Sequence, residues 1–174
     1  MATGLLVIDL QRGMFESGVS PHDEEGVLSR VAKLLEKARS RGVAVLHVRH
    51  DGGPGDDLER DTPGWHIHPA VAPLNDEPII DKDRCSAFHG TDLHERLQAR
   101  GIARLVIAGM QTEYCIDTNC RTAHGLGYAV LLVRDAHTTF DNPALSAEQI
   151  VAHHNLTLRN GGFVTLVDAA AVEF

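Results

Sequence analysis

Six short, mostly apolar segments, alternating with stretches of helical spacing, constrain the fold of this chain more than any other feature. Leu5-Leu6-Val7-Ile8 is apolar at every position, as a strand must be when both faces of its sheet are covered. Val43 to Val48, Pro78 to Ile80, Leu105 to Ala108, Ala129 to Val133 and Phe163 to Val167 read as the other strands. Between them, Val27, Val31, Leu34, Leu35 and Ala38 recur at helical spacing until Gly42, and Thr91 caps a helix through Leu93 and Leu97 to Gly101. A helix beginning near Glu113 ends at Gly125 and Gly127, and Ser146 with Gln149 forms a capping box for another reaching about Arg159. Residues 10–23, 49–64 and 135–143 read as loops. This alternation requires right-handed crossovers, so the expected fold class is α/β: a doubly wound parallel sheet with helices on both faces. Sites in such sheets lie beyond the carboxyl ends of strands. Asp9, Lys82 and Cys115 each follow one and should converge at one rim.

With 174 residues, 43% of them hydrophobic, residues 1–174 fit a single domain. A formal charge of −8 without a basic block excludes general phosphate-backbone binding, so no nucleic-acid partner is expected. No apolar run approaches the roughly 20 residues of a membrane span, and the first residues lead into a strand without a charged leader. A cytoplasmic protein with no membrane partner is expected. Three cysteines make no disulfide framework. Neither Gly-x-Gly-x-x-Gly nor Gly-Lys-Ser/Thr occurs, so a nucleotide cofactor has no motif.

The chemistry points to Cys115. Thr112 reads as an N-cap and Glu113 as a first-turn acid, placing Cys115 in the first turn of a helix, where the dipole and a nearby cation lower a thiol's pKa below about 8.5. Asp9 can accept the thiol proton, and Lys82 can stabilise both thiolate and carboxylate. Thiolate attack on an amide-type carbonyl, protonation of the leaving nitrogen by Asp9 and hydrolysis of the thioester would break a carbon–nitrogen bond. Backbone N–H groups of Gln111 and Cys115 could receive the oxyanion. Phe15, Trp65 and Tyr114 are candidate pocket walls, with core packing the alternative for Phe15; Gln11 either orients Asp9 or substrate or is a satisfied structural amide. The histidines His47, His50, His66, His68, His153 and His154 have no persuasive ligand spacing, so no catalytic metal and no other cofactor is expected, and Ile67-His68-Pro69 reads as a loop-anchoring turn. Competing readings are a thiol redox protein using Cys115 with Cys85, and a catalytically idle interaction subunit.

Four ordered motifs carry a resemblance: Asp9-Leu-Gln-Arg-Gly-Met-Phe; Trp65 with Ile67-His68-Pro69; Lys82 with Ser86-Ala87-Phe88; and Ala108-Gly109-Met110-Gln111-Thr112 leading to Cys115. Together they resemble the isochorismatase-like cysteine hydrolases over nearly the whole chain. The segment from Gln111 through Arg121, with Asp135-Ala136-His137 and Ala152-His153-His154-Asn155, is similar to bacterial amidohydrolases of the streptothricin hydrolase kind. The resemblance implies a triad of Asp9, Lys82 and Cys115, a six-stranded parallel sheet of order 3-2-1-4-5-6, a non-proline cis peptide between Met110 and Gln111, and a homodimer or homotetramer. Retention of Cys115 favours hydrolysis of a small amide, lactam, ureido or carbamoyl substrate over vinyl-ether cleavage by an isochorismatase. The Asp-x-His metal motif of nicotinamidases is missing where Asp51 is followed by Gly52 and Gly53, which speaks against nicotinamidase activity.

Overall fold

The structure, a computed structural model, describes residues 2–174. Among these residues the strands β1 (Ala2–Ile8), β2 (Ala44–His50), β3 (Ile79–Lys82), β4 (Ile102–Met110), β5 (Ala129–Thr138) and β6 (Thr165–Val167) form one parallel sheet of order β3-β2-β1-β4-β5-β6. The helices are α1 (Gly13–Glu16), α2 (Glu24–Ser40), α3 (Leu93–Ala99), α4 (Asp117–Gly125) and α5 (Ala147–Asn160). No helix among the described residues is long and apolar enough to cross a membrane.

Alternation along β1 divides the interior into two layers. Leu6 and Ile8 join Leu46, Val48, Leu105 and Ile107 in packing against Leu93 and Leu97 of α3 and Cys120 and Ala123 of α4. Leu5 and Val7 turn the other way, with Val45, Val106 and Ala108, onto Val27, Val31, Leu34, Leu35 and Ala38 of α2. Strand side chains alternate between faces, so a run that is apolar at every position fills both layers. The capping box at Ser146 and Gln149 is formed at the start of α5.

Four local expectations change. The 10–23 segment contains the short α1, because Arg12 carbonyl accepts the N–H groups of Phe15 and Glu16 at 2.9 Å each. β5 does not end at Val133: a register shift pairs Ile107 with Leu132 but Gly109 with His137, and the strand runs on to Thr138. Asp92, not Thr91, occupies the N-cap of α3; Thr91 Oγ1 instead accepts from Leu93 N–H at 3.2 Å. The fourth change falls at Cys115 and is described below.

β1 and β4 are neighbours in space, although helices α1, α2 and α3 and strands β2 and β3 separate them in sequence. This is the point where strand order reverses, and the crevice beyond it is where an open α/β sheet binds ligands. Gly109 makes that junction close: its φ is +132°, and a Cβ there would lie 2.0 Å from Ile8 carbonyl oxygen.

Candidate active site

Each of the three residues expected at the rim is delivered by a strand end. Asp9 follows β1 with a left-handed φ of 52°, its N–H bonded to Val48 carbonyl at 3.0 Å. Lys82 is the last residue of β3 and is in register with His50 of β2. Cys115 lies in the turn after β4. The side chains meet: Lys82 Nζ donates to Asp9 Oδ2 at 2.7 Å and to Cys115 Sγ at 3.3 Å. All three residues are buried, and Asp9 Oδ1 is a buried carboxylate oxygen without a hydrogen-bond partner among the described residues.

The turn carrying Cys115 differs from the expected helix start. Thr112–Ile116 is a single π turn, in which Ile116 N–H reaches back five residues to Gln111 carbonyl at 3.1 Å, and α4 begins only at Asp117. Thr112 is not the cap. Its hydroxyl is buried against His137 Nδ1 at 2.9 Å, and His137 Nε2 meets Asn155 Oδ1 at 3.1 Å. The peptide between Met110 and Gln111 is cis. Gln111 carbonyl also accepts Tyr114 N–H at 3.2 Å, whereas the N–H groups of Gln111 and Cys115 make no backbone bond to another element among the described residues.

Electrostatics follow from this geometry. Burial raises the Cys115 thiol well above its ordinary value, and the neighbouring Asp9 carboxylate raises it further; Lys82 pulls the other way and is outweighed. The direction is opposite to the lowering expected at a helix N-terminus, because Cys115 is buried and beside an acid. For Lys82, burial alone would favour the neutral amine, but Asp9 and Cys115 reverse that and hold the ammonium above its usual range. Burial and Asp9 thus favour a thiol that keeps its proton, beside the Lys82 ammonium.

Three polar residues that complete the site escaped sequence reasoning as site members. Asn119 ties Cys115 to the 85–87 segment: its Nδ2 donates to Cys115 carbonyl at 2.7 Å and Cys85 carbonyl at 2.9 Å, while Oδ1 accepts Ala87 N–H at 2.7 Å. The available signal was spacing, since a residue four beyond Cys115 shares its helical face. His137 braces Thr112, and burial drops its pKa to about 4, so the ring is neutral. His50 Nδ1 lies 3.2 Å from Lys82 Nζ.

The expected pocket residues are placed unevenly. Phe15 is buried edge-on to His68, with ring centroids 5.2 Å apart. Trp65 is also buried, beneath the Arg49 guanidinium at 3.4 Å from the ring centroid, so it anchors the long loop rather than presenting an open wall. Gln11 is buried and bonded as a structural amide: Nε2 donates to His50 and Trp65 carbonyls at 2.8 and 2.9 Å, and Oε1 accepts His50 N–H at 2.7 Å. Tyr114 is half exposed beside Cys115. Ile67-His68-Pro69 does anchor the loop, through His68 N–H to Leu10 carbonyl at 2.8 Å. Among the described residues no three His, Cys, Asp or Glu side chains converge as a metal cluster would.

The Isochorismatase domain family matches residues 3–167. A streptothricin hydrolase of Streptomyces noursei is 37% identical over 140 residues, 80% of this chain and 51% of the relative, so the chain spans about half the length of that protein. The isochorismatase family protein YddQ of Bacillus subtilis (strain 168) is 38% identical over 142 residues, covering 80% of this chain and 79% of that one. Among solved structures, an isochorismatase from Pseudomonas putida KT2440 superposes with a TM-score of 0.93 at 28% identity, covering 98% of this chain and 90% of its own. A cysteine hydrolase from Pseudomonas syringae pv. phaseolicola 1448A gives 0.88 at 28% identity, covering 97% and 89%. Matched across nearly all its length in sequence and in fold, the chain belongs to the isochorismatase family.

Proposed function

We propose that the protein is a cysteine-dependent hydrolase of a carbon–nitrogen bond in a small amide, lactam, ureido or carbamoyl compound, with Asp9, Lys82 and Cys115 as its catalytic triad. One observation carries the reading: a single ammonium contacts both a carboxylate and a thiol, while the carboxylate's second oxygen is left unbonded in a buried site. In the first step Asp9 Oδ1 takes the Cys115 proton as Sγ bonds to the substrate carbonyl carbon, and the carbonyl π pair moves onto oxygen. The N–H groups of Gln111 and Cys115 receive that oxyanion. Collapse re-forms the carbonyl and breaks the carbon–nitrogen bond, with the Asp9 proton moving to the departing nitrogen. Asp9 then takes a proton from water, the hydroxide adds to the thioester, and the carbon–sulfur bond breaks as the acid leaves and the proton returns to sulfur. Throughout, Lys82 offsets the charge that moves between carboxylate and thiolate.

The similarity to a streptothricin hydrolase supports hydrolysis as the reaction class, and that relative is about twice as long, so its substrate is not carried over. A raised thiol pKa slows oxidation by peroxide, which weighs against the redox reading. A cytoplasmic homodimer or homotetramer completes the proposal. The test is ammonia or amine release across a panel of small amides, lactams, ureas and carbamoyl compounds, with the Cys115→Ala protein as blank. Release by the wild type alone supports the mechanism; equal release by both refutes it.

A further inference from the structure

The Lys82 ammonium has three protons and three acceptors within reach: Asp9 Oδ2 at 2.7 Å, Cys115 Sγ at 3.3 Å and His50 Nδ1 at 3.2 Å. The first two belong to the reaction proposed above. The third acceptor has no place in it. An ammonium cannot accept a hydrogen bond, so the contact requires a lone pair on His50 Nδ1 and puts the imidazole proton on Nε2. His50 is itself held rigidly. Gln11 clamps its backbone N–H and carbonyl, and strand pairing sets it opposite Lys82.

We propose that His50 is a positioning residue for this hydrolase, its neutral imidazole taking the third Lys82 proton and so fixing the ammonium on both Asp9 and Cys115. This rests on the triad reading. Without the third acceptor, a lysine head on a flexible four-carbon stem can swing toward Asp9 alone, the stronger partner, and abandon the sulfur. Protonation of His50 has the same effect, because Nδ1 then carries a hydrogen that faces the ammonium. Burial and Lys82 favour the neutral ring, while Asp9, Asp56 and Asp51 oppose them, and the net outcome is a pKa below the ordinary imidazole value. Asp51 is in turn paired with Arg60 at 3.0 Å.

The experiment compares wild type, His50→Leu and His50→Asn on the best substrate from the amide panel, with thermal unfolding of each as the check on folding. An asparagine oxygen stands close to the place of Nδ1 and does not titrate; leucine offers no acceptor. The expected result is a fall in kcat of about 10- to 100-fold for leucine with little change in KM, as loss of alignment produces, and recovery to within several-fold for asparagine. The acid limb of the wild-type pH–rate profile should move to lower pH in the asparagine protein. Leucine matching wild type would overturn the proposal, as would equal impairment of both variants with an unchanged acid limb. Either result with a dead Cys115→Ala protein would leave the triad intact and remove only His50.

Discussion

His137 makes the stability of this protein depend on pH in a calculable way. The ring is fully buried, bonded at Nδ1 to Thr112 and at Nε2 to Asn155, and burial drops its pKa to about 4 from an ordinary 6.5. As pH falls below 6.5, the unfolded chain binds a proton at this histidine that the folded chain refuses, so unfolding is favoured. Its contribution is therefore complete above 6.5 and is lost progressively toward pH 4. At about 1.4 kcal/mol per pH unit the loss comes to about 2 kcal/mol between pH 7.5 and 5, and about 3 kcal/mol by pH 4. His47 and His50 also have lowered pKa values and add to the wild-type slope, so the quantity to measure is a difference between proteins. His137→Asn keeps an acceptor for Thr112 and cannot titrate. Urea unfolding of both proteins at pH 7.5 and 5 should show the variant losing about 2 kcal/mol less than wild type over that interval, whatever its absolute stability. Equal losses would refute the argument, since they would mean that the imidazole takes up its proton as easily inside the fold as outside.

Replacing Lys82 by Met strands the Asp9 carboxylate in the interior, which should lower stability by about 3–5 kcal/mol at neutral pH and abolish turnover; unchanged urea unfolding would contradict the pairing. Gly109→Ala drives a Cβ onto Ile8 carbonyl at a φ that L residues rarely adopt, at a cost of about 3 kcal/mol or more. A thermal midpoint equal to wild type would show that β1 and β4 can part there. Iodoacetamide at pH 7, followed by peptide mass spectrometry, should label the exposed Cys85 before the buried, raised-pKa Cys115. Faster labelling of Cys115 would mean that Lys82 dominates the thiol in solution.

How much of this was legible depended on whether a residue's surroundings are written locally. The buried strands were, because a run such as Leu5 to Ile8 can be satisfied only between two covered faces, and strand ends then placed Asp9, Lys82 and Cys115 at one rim. The extension of β5 was not, since Asp135, His137 and Thr138 are polar and their pairing depends on a bulge opposite Gly109. Nor was the π turn: Thr112 and Glu113 read like any α-helix start, and the distinction lies in Gln111 carbonyl receiving Ile116 N–H. The Thr112 hydroxyl is buried against His137 instead of capping a helix, and the Cys115 thiol is raised by burial and by Asp9, neither of which is written in the local sequence. His50 and Asn119 escaped for a related reason. Each is polar, buried or half-buried, and defined by partners 30 or more residues away as well as by neighbours, as with Asn119 and Cys85 at a separation of 34.

The central claim, that Cys115 carries the acyl group between bond breaking and hydrolysis, is tested most directly by rapid acid quench of the enzyme with its best panel substrate. Intact-mass measurement should show a transient adduct of the acyl mass, which peptide mapping places on Cys115 and which the Cys115→Ala protein lacks. Sustained turnover with no adduct at any quench time, or an adduct on another residue, would contradict it.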